Sequence, residues 1–480
     1  RGAGEDRRED EQAPGWADVW TRRAPVALAL ALGGALFLRL PFLDLPLTAD
    51  EGGYAEVARL WQHGQSLYGQ LFVDRPQGLL LVYRVLLDLG ADSTVALRGA
   101  AAGFGVATVL AIAAVAARVG KRINGFTAAL LLGTAGASPF VESFTLSGEL
   151  IASFVAVLAL LAFTGSLQEE RLRWVALAGL LCGCAVMVKQ SGLDAGVAIG
   201  LWLVVTRRWR SLGVLAVAAA VPVVAGVLAA TSAHAWWDAV VAYRGQGDSL
   251  VTGSLGGRLS QLGDTLPALG LALGPLAVLA ALGFRRAPLL LRLWLLGALI
   301  GVVGGGNFHA HYYIQLGAPL AALGAYGVTR LGRFGPTALG AVVLVALATS
   351  AALSLAPRST QTRLVWPHDP HLRYDDEAAT LIRARVPAGQ PIAVTWGDAS
   401  LYFLADRPPA VRSLWYRNAQ AVPGAAERDI AVLRRGVPLV VALEPSLRAF
   451  PALRQVLSCR YRPIRVVGPL HLYRYAGSCR

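Results

Sequence analysis

The chain is short of what covers a soluble protein. Only 15% of its 480 residues are charged, while 55% are hydrophobic; an ordinary globular chain carries roughly 25% charge. That shortage excludes a wholly water-soluble chain and points to a polytopic membrane protein. Lysine is nearly missing, with Lys121 and Lys189 the only two, so arginine supplies the rest of a formal net charge of +14. The arginines gather at the ends of apolar runs rather than along one face, which argues against nucleic acid as a partner. Cysteine is scarce, with four residues in all. Cys182 and Cys184 lie inside an apolar run and read as packing residues. Cys459 and Cys479 lie in the polar C-terminal region and can pair if that region is exported. Heptads, low-complexity tracts and soluble repeats are missing too, and the polar stretch Arg1–Trp20 has no cleavable-signal pattern and reads as a short tail.

What is present is a series of long apolar runs punctuated by arginine. A spanning helix needs about 20 apolar residues, and cytoplasmic loops collect Arg and Lys. Arg22 and Arg23 precede the first run, near 24–42, which places the N-terminus inside and Asp50 outside. The run Gln77–Gly90 decides the rest. It is short and carries Arg84 and Asp88, so it reads as an interfacial helix on the outer face. Further spans are then expected near 93–118, 123–141, 148–167, 172–189, 191–206, 211–230, 264–284, 288–304, 312–329 and 335–356. The expectation is therefore about eleven transmembrane helices, with Arg118, Lys121, Arg122, Arg207, Arg208, Arg285 and Arg286 all inside. Counting 77–90 as a span would put those seven outside. From about Pro357 the texture changes. Strand-like Pro391–Trp396 and Val437–Ala442 alternate with helix-like Asp375–Val386 and Ala425–Arg435, which predicts a small exported α/β domain over 357–480. The expected organisation is thus a cytoplasmic tail (1–23), a transmembrane domain (24–356) with a first outer loop over 44–92, and that domain.

With this topology the polar residues at membrane level collect on the outer face. Asp50, Glu51 and Tyr54 open the first loop, and Asp74 and Arg75 close it. Glu142 and Glu149 occupy the second outer turn and Lys189 the next. Asn307, His309, His311, Tyr312 and Tyr313 crowd the last. Each has an ordinary reading: Asp50 and Glu51 as a solvated helix end, Arg75 as a snorkelling anchor, Lys189 as an interfacial lysine. His309 and His311, two apart, share no helical face and make a poor zinc pair. Their coincidence on one face favours chemistry on a lipid-borne substrate. Transfer of a sugar from a polyprenyl phosphate needs a carboxylate to take the acceptor's proton and a cation to offset the phosphate leaving group. The lipid tail then needs a groove between helices.

Three stretches carry a family likeness: Thr48-Ala49-Asp50-Glu51-Gly52-Gly53-Tyr54-Ala55, Gly64-Gln65-Ser66-Leu67-Tyr68 and Asp74-Arg75-Pro76-Gln77-Gly78. Together they resemble the first loop of GT-C glycosyltransferases, closest to the family 39-like branch of protein O-mannosyltransferases and the lipid A aminoarabinose transferase. Arg98-Gly99-Ala100, Ser138-Pro139 with Glu149, Gly183 through Lys189, and His311-Tyr312-Tyr313 with Pro319 follow the order of that family's weaker signals. The likeness implies that Asp50 is the catalytic base or orienter with Glu51 supporting it, and that Arg75 and Lys189 bind the donor phosphate. Tyr54, Asp74, Glu142, Glu149, His309, His311 and Tyr312 would bind substrate. Some members of the superfamily hold a divalent cation at the acidic residues, which here would be Asp50 and Glu149. Where the family often has Lys-Pro-Pro, this chain has Arg75-Pro76-Gln77, and arginine also suits a phosphate. The expected partners are a polyprenyl-phosphate-linked sugar, membrane lipids and a glycan, lipid or protein acceptor, at the plasma membrane. The rival classes are a transporter or lipid flippase, which would show midplane charges and an inverted repeat, and a scaffold presenting the exported domain.

Overall fold

The computed structural model describes residues 24–243, 255–305 and 307–477. The expected cytoplasmic tail, Cys479 and part of the stretch between the spans expected near 211–230 and 264–284 lie outside those residues. The chain opens with α1 (Ala24–Phe37), α2 (Ala49–Gln62), α3 (Gln77–Asp88), α4 (Thr94–Val119) and α5 (Arg122–Thr134). It continues through α6 (Gly148–Thr164), α7 (Leu172–Val188), α8 (Asp194–Val205) and α9 (Trp209–Ala229). After a short helical turn at Ala233–Trp237 come α10 (Leu255–Gly283), α11 (Leu289–Gly305), α12 (Ile314–Arg330) and α13 (Gly335–Ser354).

A helix occupies each of the eleven segments expected to span. Among the described residues five segments are long and apolar enough to cross a membrane by length and composition: Pro25–Phe42, Thr94–Val119, Trp209–Ala229, Gly256–Gly283 and Gly332–Ser354. The apolar helices over Gly148–Thr164, Leu172–Val188, Asp194–Val205 and Leu289–Gly304 are shorter. Helix α10 begins at Leu255, earlier than the expected 264, because the Gly-Gly-Arg-Leu-Ser-Gln stretch continues its helical turns instead of remaining loop. The outermost helices show what surrounds them. On α9, Val217, Val221, Val224 and Leu228 are all more than half exposed, a face that suits hydrocarbon rather than water.

Close approach between helices depends on small residues. A Cβ at Gly327 would lie 2.0 Å from the Leu279 carbonyl oxygen, and one at Gly183 2.2 Å from that of Ala219. The glycines therefore let α12 contact α10, and α7 contact α9, backbone to backbone.

Helix α3 is twelve residues long, bounded by Pro76 and by Gly90 at φ +87°. It is too short to span a bilayer, and it buries Leu79, Leu80 and Tyr83 while leaving Leu81 half exposed.

The C-terminal region carries α14 (Arg358–Val365), α15 (Asp375–Arg385), β1 (Ala393–Thr395), α16 (Ser400–Ala405), α17 (Tyr416–Ala421), α18 (Ala425–Arg435), β2 (Leu439–Leu443), α19 (Glu444–Ala449), α20 (Pro451–Arg460), β3 (Tyr461–Val467) and β4 (Leu470–Tyr475). The sheet order is β1-β2-β4-β3, with β1 and β2 parallel and the other pairs antiparallel. Both expected strands and both expected helices are found. The β3–β4 hairpin was not anticipated from sequence; it turns at Gly468, φ +55°, between two runs of alternating apolar and polar residues. Cys459, just before β3, is disulfide-bonded. This region sits directly on α2: a Cβ at Gly52 would be 2.5 Å from the Ser400 Cα, and one at Gly53 2.4 Å from the Trp415 ring.

Candidate active site

The first-loop acids take their positions from how α2 starts. Thr48 caps the helix, its hydroxyl accepting from the Glu51 N–H at 3.2 Å while the Glu51 carboxylate accepts from the Thr48 N–H at 3.2 Å. This capping box rotates Glu51 inward and leaves Asp50 at the edge of the turn. The two neighbours then live in different surroundings. Glu51 is 2% exposed and its carboxylate is saturated. Arg98 donates to both oxygens, from Nε at 2.7 Å and Nη2 at 2.8 Å, and the Leu146 N–H donates at 2.8 Å. Arg98 is itself fully buried and also donates to the carbonyls of Phe42 and Pro46.

Asp50 keeps 42% of its side chain exposed. It accepts from the Tyr54 hydroxyl at 3.1 Å and faces the Arg75 guanidinium at 3.8 Å. Burial pushes the Tyr54 hydroxyl well above its ordinary value, so it stays protonated and donates. Arg75, nearly buried, bonds Asp74 at 2.6 Å and sits over the Tyr54 ring at 5.7 Å.

Asp50, Asp74, Arg75, Glu142, Glu149, Lys189, His309, His311 and Tyr312 line one cavity of about 260 Å³. Glu51 and Tyr54 line it as well. The eleven residues to which the family likeness gave a role are therefore brought together, while Asn307 and Tyr313 of the last outer turn are not part of this lining. Lys189 ends α7, bonded to Glu149 and 4.3 Å from the centre of the Tyr312 ring. Glu149 sits in the first turn of α6, whose cap is Ser147. Glu142 holds a left-handed backbone, φ 55°, a conformation that costs a non-glycine residue on the order of 1–3 kcal/mol and recurs at functional sites. Its carboxyl is pushed up by burial and pulled down further by His311, ending below its usual value.

Helical spacing misjudged the two histidines, because the segment Ala310–Tyr313 is a 3₁₀ turn. Their rings stack, 5.5 Å apart and 3° from parallel. His311 reaches Glu142 through Nδ1 at 3.4 Å and Glu149 through Nε2 at 3.7 Å. Burial, with the neighbouring His311, pushes His309 down to about 4, so it is neutral at physiological pH.

The remaining wall was missed by sequence reasoning. It comes from Tyr243 and from Trp366, Asp369, His371, Trp415, Arg417 and Asn418 of the C-terminal region. The Trp-Pro-His-Asp-Pro-His stretch at 366–371 and the Trp-Tyr-Arg-Asn stretch at 415–418 carry a usable signal. Both concentrate aromatic, imidazole and charged groups where a plain α/β domain needs only turns.

A divalent cation at Asp50 and Glu149 does not fit this donor set. Lys189 already neutralises Glu149 and Asp50 faces Arg75. Among the described residues no group of three or more His, Cys, Asp or Glu has metal-holding geometry.

A second hollow, about 760 Å³ and mainly apolar, is lined by chain neighbours of the cavity residues, Gln77 two on from Arg75 and Val188 just before Lys189. Leu81, Val82, Phe104, Phe154 and Met187 line it, and Tyr68 and Gln77 stand at its polar end. Tyr68 donates to the Arg75 carbonyl at 2.8 Å and Gln77 accepts from the Trp236 indole at 2.7 Å. The polar end of the groove is thus tied to Arg75 through Tyr68.

Comparison with known proteins agrees with this architecture. The profile of the dolichyl-phosphate-mannose-protein mannosyltransferase family matches residues 74–237. The structure is similar to ArnT from Cupriavidus metallidurans in the apo state, with a TM-score of 0.62 at 16% identity over 95% of this chain and 98% of that one. ArnT bound to undecaprenyl phosphate gives 0.55 at 17% identity, over 96% and 98%. The Archaeoglobus fulgidus oligosaccharyltransferase tethered with an acceptor peptide gives 0.56 at 15%, over 96% of this chain and 75% of that one. No curated protein sequence matches. The chain has the fold of the GT-C membrane glycosyltransferases, and residues 74–237 match the mannosyltransferase-family profile.

Proposed function

We propose that the chain is an integral-membrane glycosyltransferase that moves a sugar from a polyprenyl-phosphate donor to an extracytoplasmic acceptor, with inversion at the anomeric carbon. The observation that carries this reading is the pairing of one half-open carboxylate, Asp50, with the Arg75 guanidinium 3.8 Å away in a polar cavity, with an apolar groove lined by the neighbouring residues Tyr68, Gln77 and Val188. The groove takes the isoprenoid tail and Arg75 and Lys189 take the phosphate. Asp50 accepts the acceptor hydroxyl proton as that oxygen attacks the anomeric carbon. The bond from that carbon to the phosphate oxygen breaks, the phosphate keeps the electron pair, and the cations offset its charge. Glu51 positions rather than reacts, since Arg98 and the Leu146 N–H already occupy its lone pairs.

The solved relatives support the donor class: ArnT has been determined bound to undecaprenyl phosphate, and the A. fulgidus enzyme with dolichol phosphate and an inhibitory peptide. The charge pattern supports an orientation with the N-terminus cytoplasmic and residues 357–480 outside as a domain that closes the cavity over the acceptor.

The test is incubation of the purified chain with a panel of polyprenyl-phosphate sugars, reading transfer and donor hydrolysis. Turnover of one donor, lost in Asp50→Asn, is the expected result. An Asp50→Asn chain with full activity would overturn the assignment.

A further inference from the structure

At the far end of α6 from Glu149, the end that the arginine pattern puts inside, lies a further crevice that sugar transfer does not use. It has a volume of about 690 Å³ and runs between the inner ends of α4, α6 and α7. Its floor is hydrocarbon: Leu158 and Leu161 of α6, Leu177 and Leu181 of α7. Its mouth is cationic and aromatic, with Arg118, Arg171 and Trp174, and one acid, Glu169.

The mouth has a defined shape. Arg118 ends α4 and crosses to α6, where a single nitrogen, Nη1, donates to the Leu161 carbonyl at 3.4 Å and the Thr164 hydroxyl at 3.3 Å. Arg118 is otherwise exposed and lines the crevice. A Cβ at Gly165 would lie 2.9 Å from the Trp174 ring, so the glycine makes room for the indole to lie against the helix end. The indole stands at the level where tryptophan anchors a membrane–water boundary. Arg171 is half exposed and paired with Glu169 at 2.5 Å. Lys121, Arg122 and Arg173 neighbour Arg118 and Arg171 in the chain, so the basic residues of these two segments outnumber Glu169 and Glu170.

We infer that this crevice binds one anionic phospholipid of that leaflet, its phosphodiester at Arg118 and Arg171 and an acyl chain along α6 and α7. A purely apolar occupant, such as the far end of the donor's tail, would gain nothing from guanidinium groups around the mouth. A zwitterionic lipid would bring its own cation into a positive field. Basic crevices between transmembrane helices select anionic headgroups for this reason.

The test is native mass spectrometry of the full chain released from nanodiscs holding equal amounts of phosphatidylglycerol and phosphatidylcholine. The wild-type chain is expected to retain phosphatidylglycerol in preference. Arg118→Gln should lower that preference by roughly fivefold, the equivalent of about 1 kcal/mol for one basic contact. Arg333→Gln, an exposed arginine outside the crevice, should leave it unchanged. Equal retention of the two lipids by the wild-type chain overturns the site. So does an Arg333→Gln loss as large as that of Arg118→Gln, which would mean a diffuse surface charge and no crevice. Neither readout involves sugar transfer, so failure here and failure of the transferase reading are separate results.

Discussion

Asp50 and Glu51 are consecutive carboxylates, each beside an arginine, and the two pairs are opposites. Glu51 and Arg98 are both buried and each makes further bonds to the backbone. Asp50 meets Arg75 only at 3.8 Å and stays partly open to the cavity. A saturated pair locks loops to helices and has no lone pair left to take a proton. A loose pair keeps both a base and a cation available. The difference comes from the helix start, where the capping box turns Glu51 inward and Asp50 outward.

That contrast is broken most directly at Asp50. Replacing it with Asn keeps the shape and the Tyr54 contact but removes the base, and general-base loss costs roughly 10²–10⁴ in rate. Initial rates of transfer in membranes should fall by that much while the melting temperature stays unchanged. The opposite pattern is expected for Arg98→Ala. It strands a buried carboxylate, which costs about 3–5 kcal/mol, so thermal unfolding in detergent should show a large loss of stability, and activity should fall only as folded chain is lost. If Arg98→Ala lowered activity at full stability, the division of labour between the pairs would fail.

Much of this contrast was legible in the sequence, and some was not. The clustering followed from charge counting, because arginine at the ends of apolar runs gives every helix an expected orientation and so collects these residues at one end. The short helix α3 followed from the length of its apolar run and its Arg84 and Asp88. The partner of Glu51 did not. Arg98 is 47 residues away, and nothing local distinguishes an arginine that will be buried from one that snorkels. The cavity's second wall was also missed: its stretches at 366–371 and 415–418 stand out in composition, but Trp366, His371 and Trp415 reach the cavity only through the docking of the C-terminal region on α2. The histidine stack was hidden by a 3₁₀ turn that α-helical spacing cannot describe.

The docking face of α2 sharpens the comparison with a third carboxylate. Glu56 is fully buried, 2.6 Å from Arg59, which also contacts Asp406 of the C-terminal region. Burial, set against Arg59 and aided by Asp406, pushes its carboxyl up to about 7. Between the ordinary carboxyl range and that value, the folded chain holds a proton that the unfolded chain has released. Stability should therefore fall as pH rises through that window, by up to about 3 kcal/mol, and level off above it. Glu56→Gln, which mimics the protonated form, should flatten the pH dependence of the melting temperature and raise it at pH 8. An unchanged slope would show that Arg59 keeps Glu56 ionised throughout.

The smallest effect is expected at Gly52, where the comparison turns from charge to contact. An added Cβ would meet the Ser400 backbone at 2.5 Å, and backbone cannot swing aside as a flexible side chain can. Gly52→Ala should therefore wedge the C-terminal region away from α2 at a cost of about 1–3 kcal/mol. Helix α2 itself should gain from the substitution, since alanine is the better helix former by about 1 kcal/mol. The two effects have opposite signs and different sites, so they separate in one experiment. Hydrogen exchange should slow along Ala49–Gln62 and quicken along Asp398–Ala405. Transfer should weaken mainly through acceptor KM, because the wall that moves carries Trp415 and Arg417 while Asp50 and Arg75 stay in place. A fall in kcat at unchanged KM would mean that the C-terminal region sets the geometry of Asp50 itself, and the separation between a locked acid and a free one would have to be redrawn.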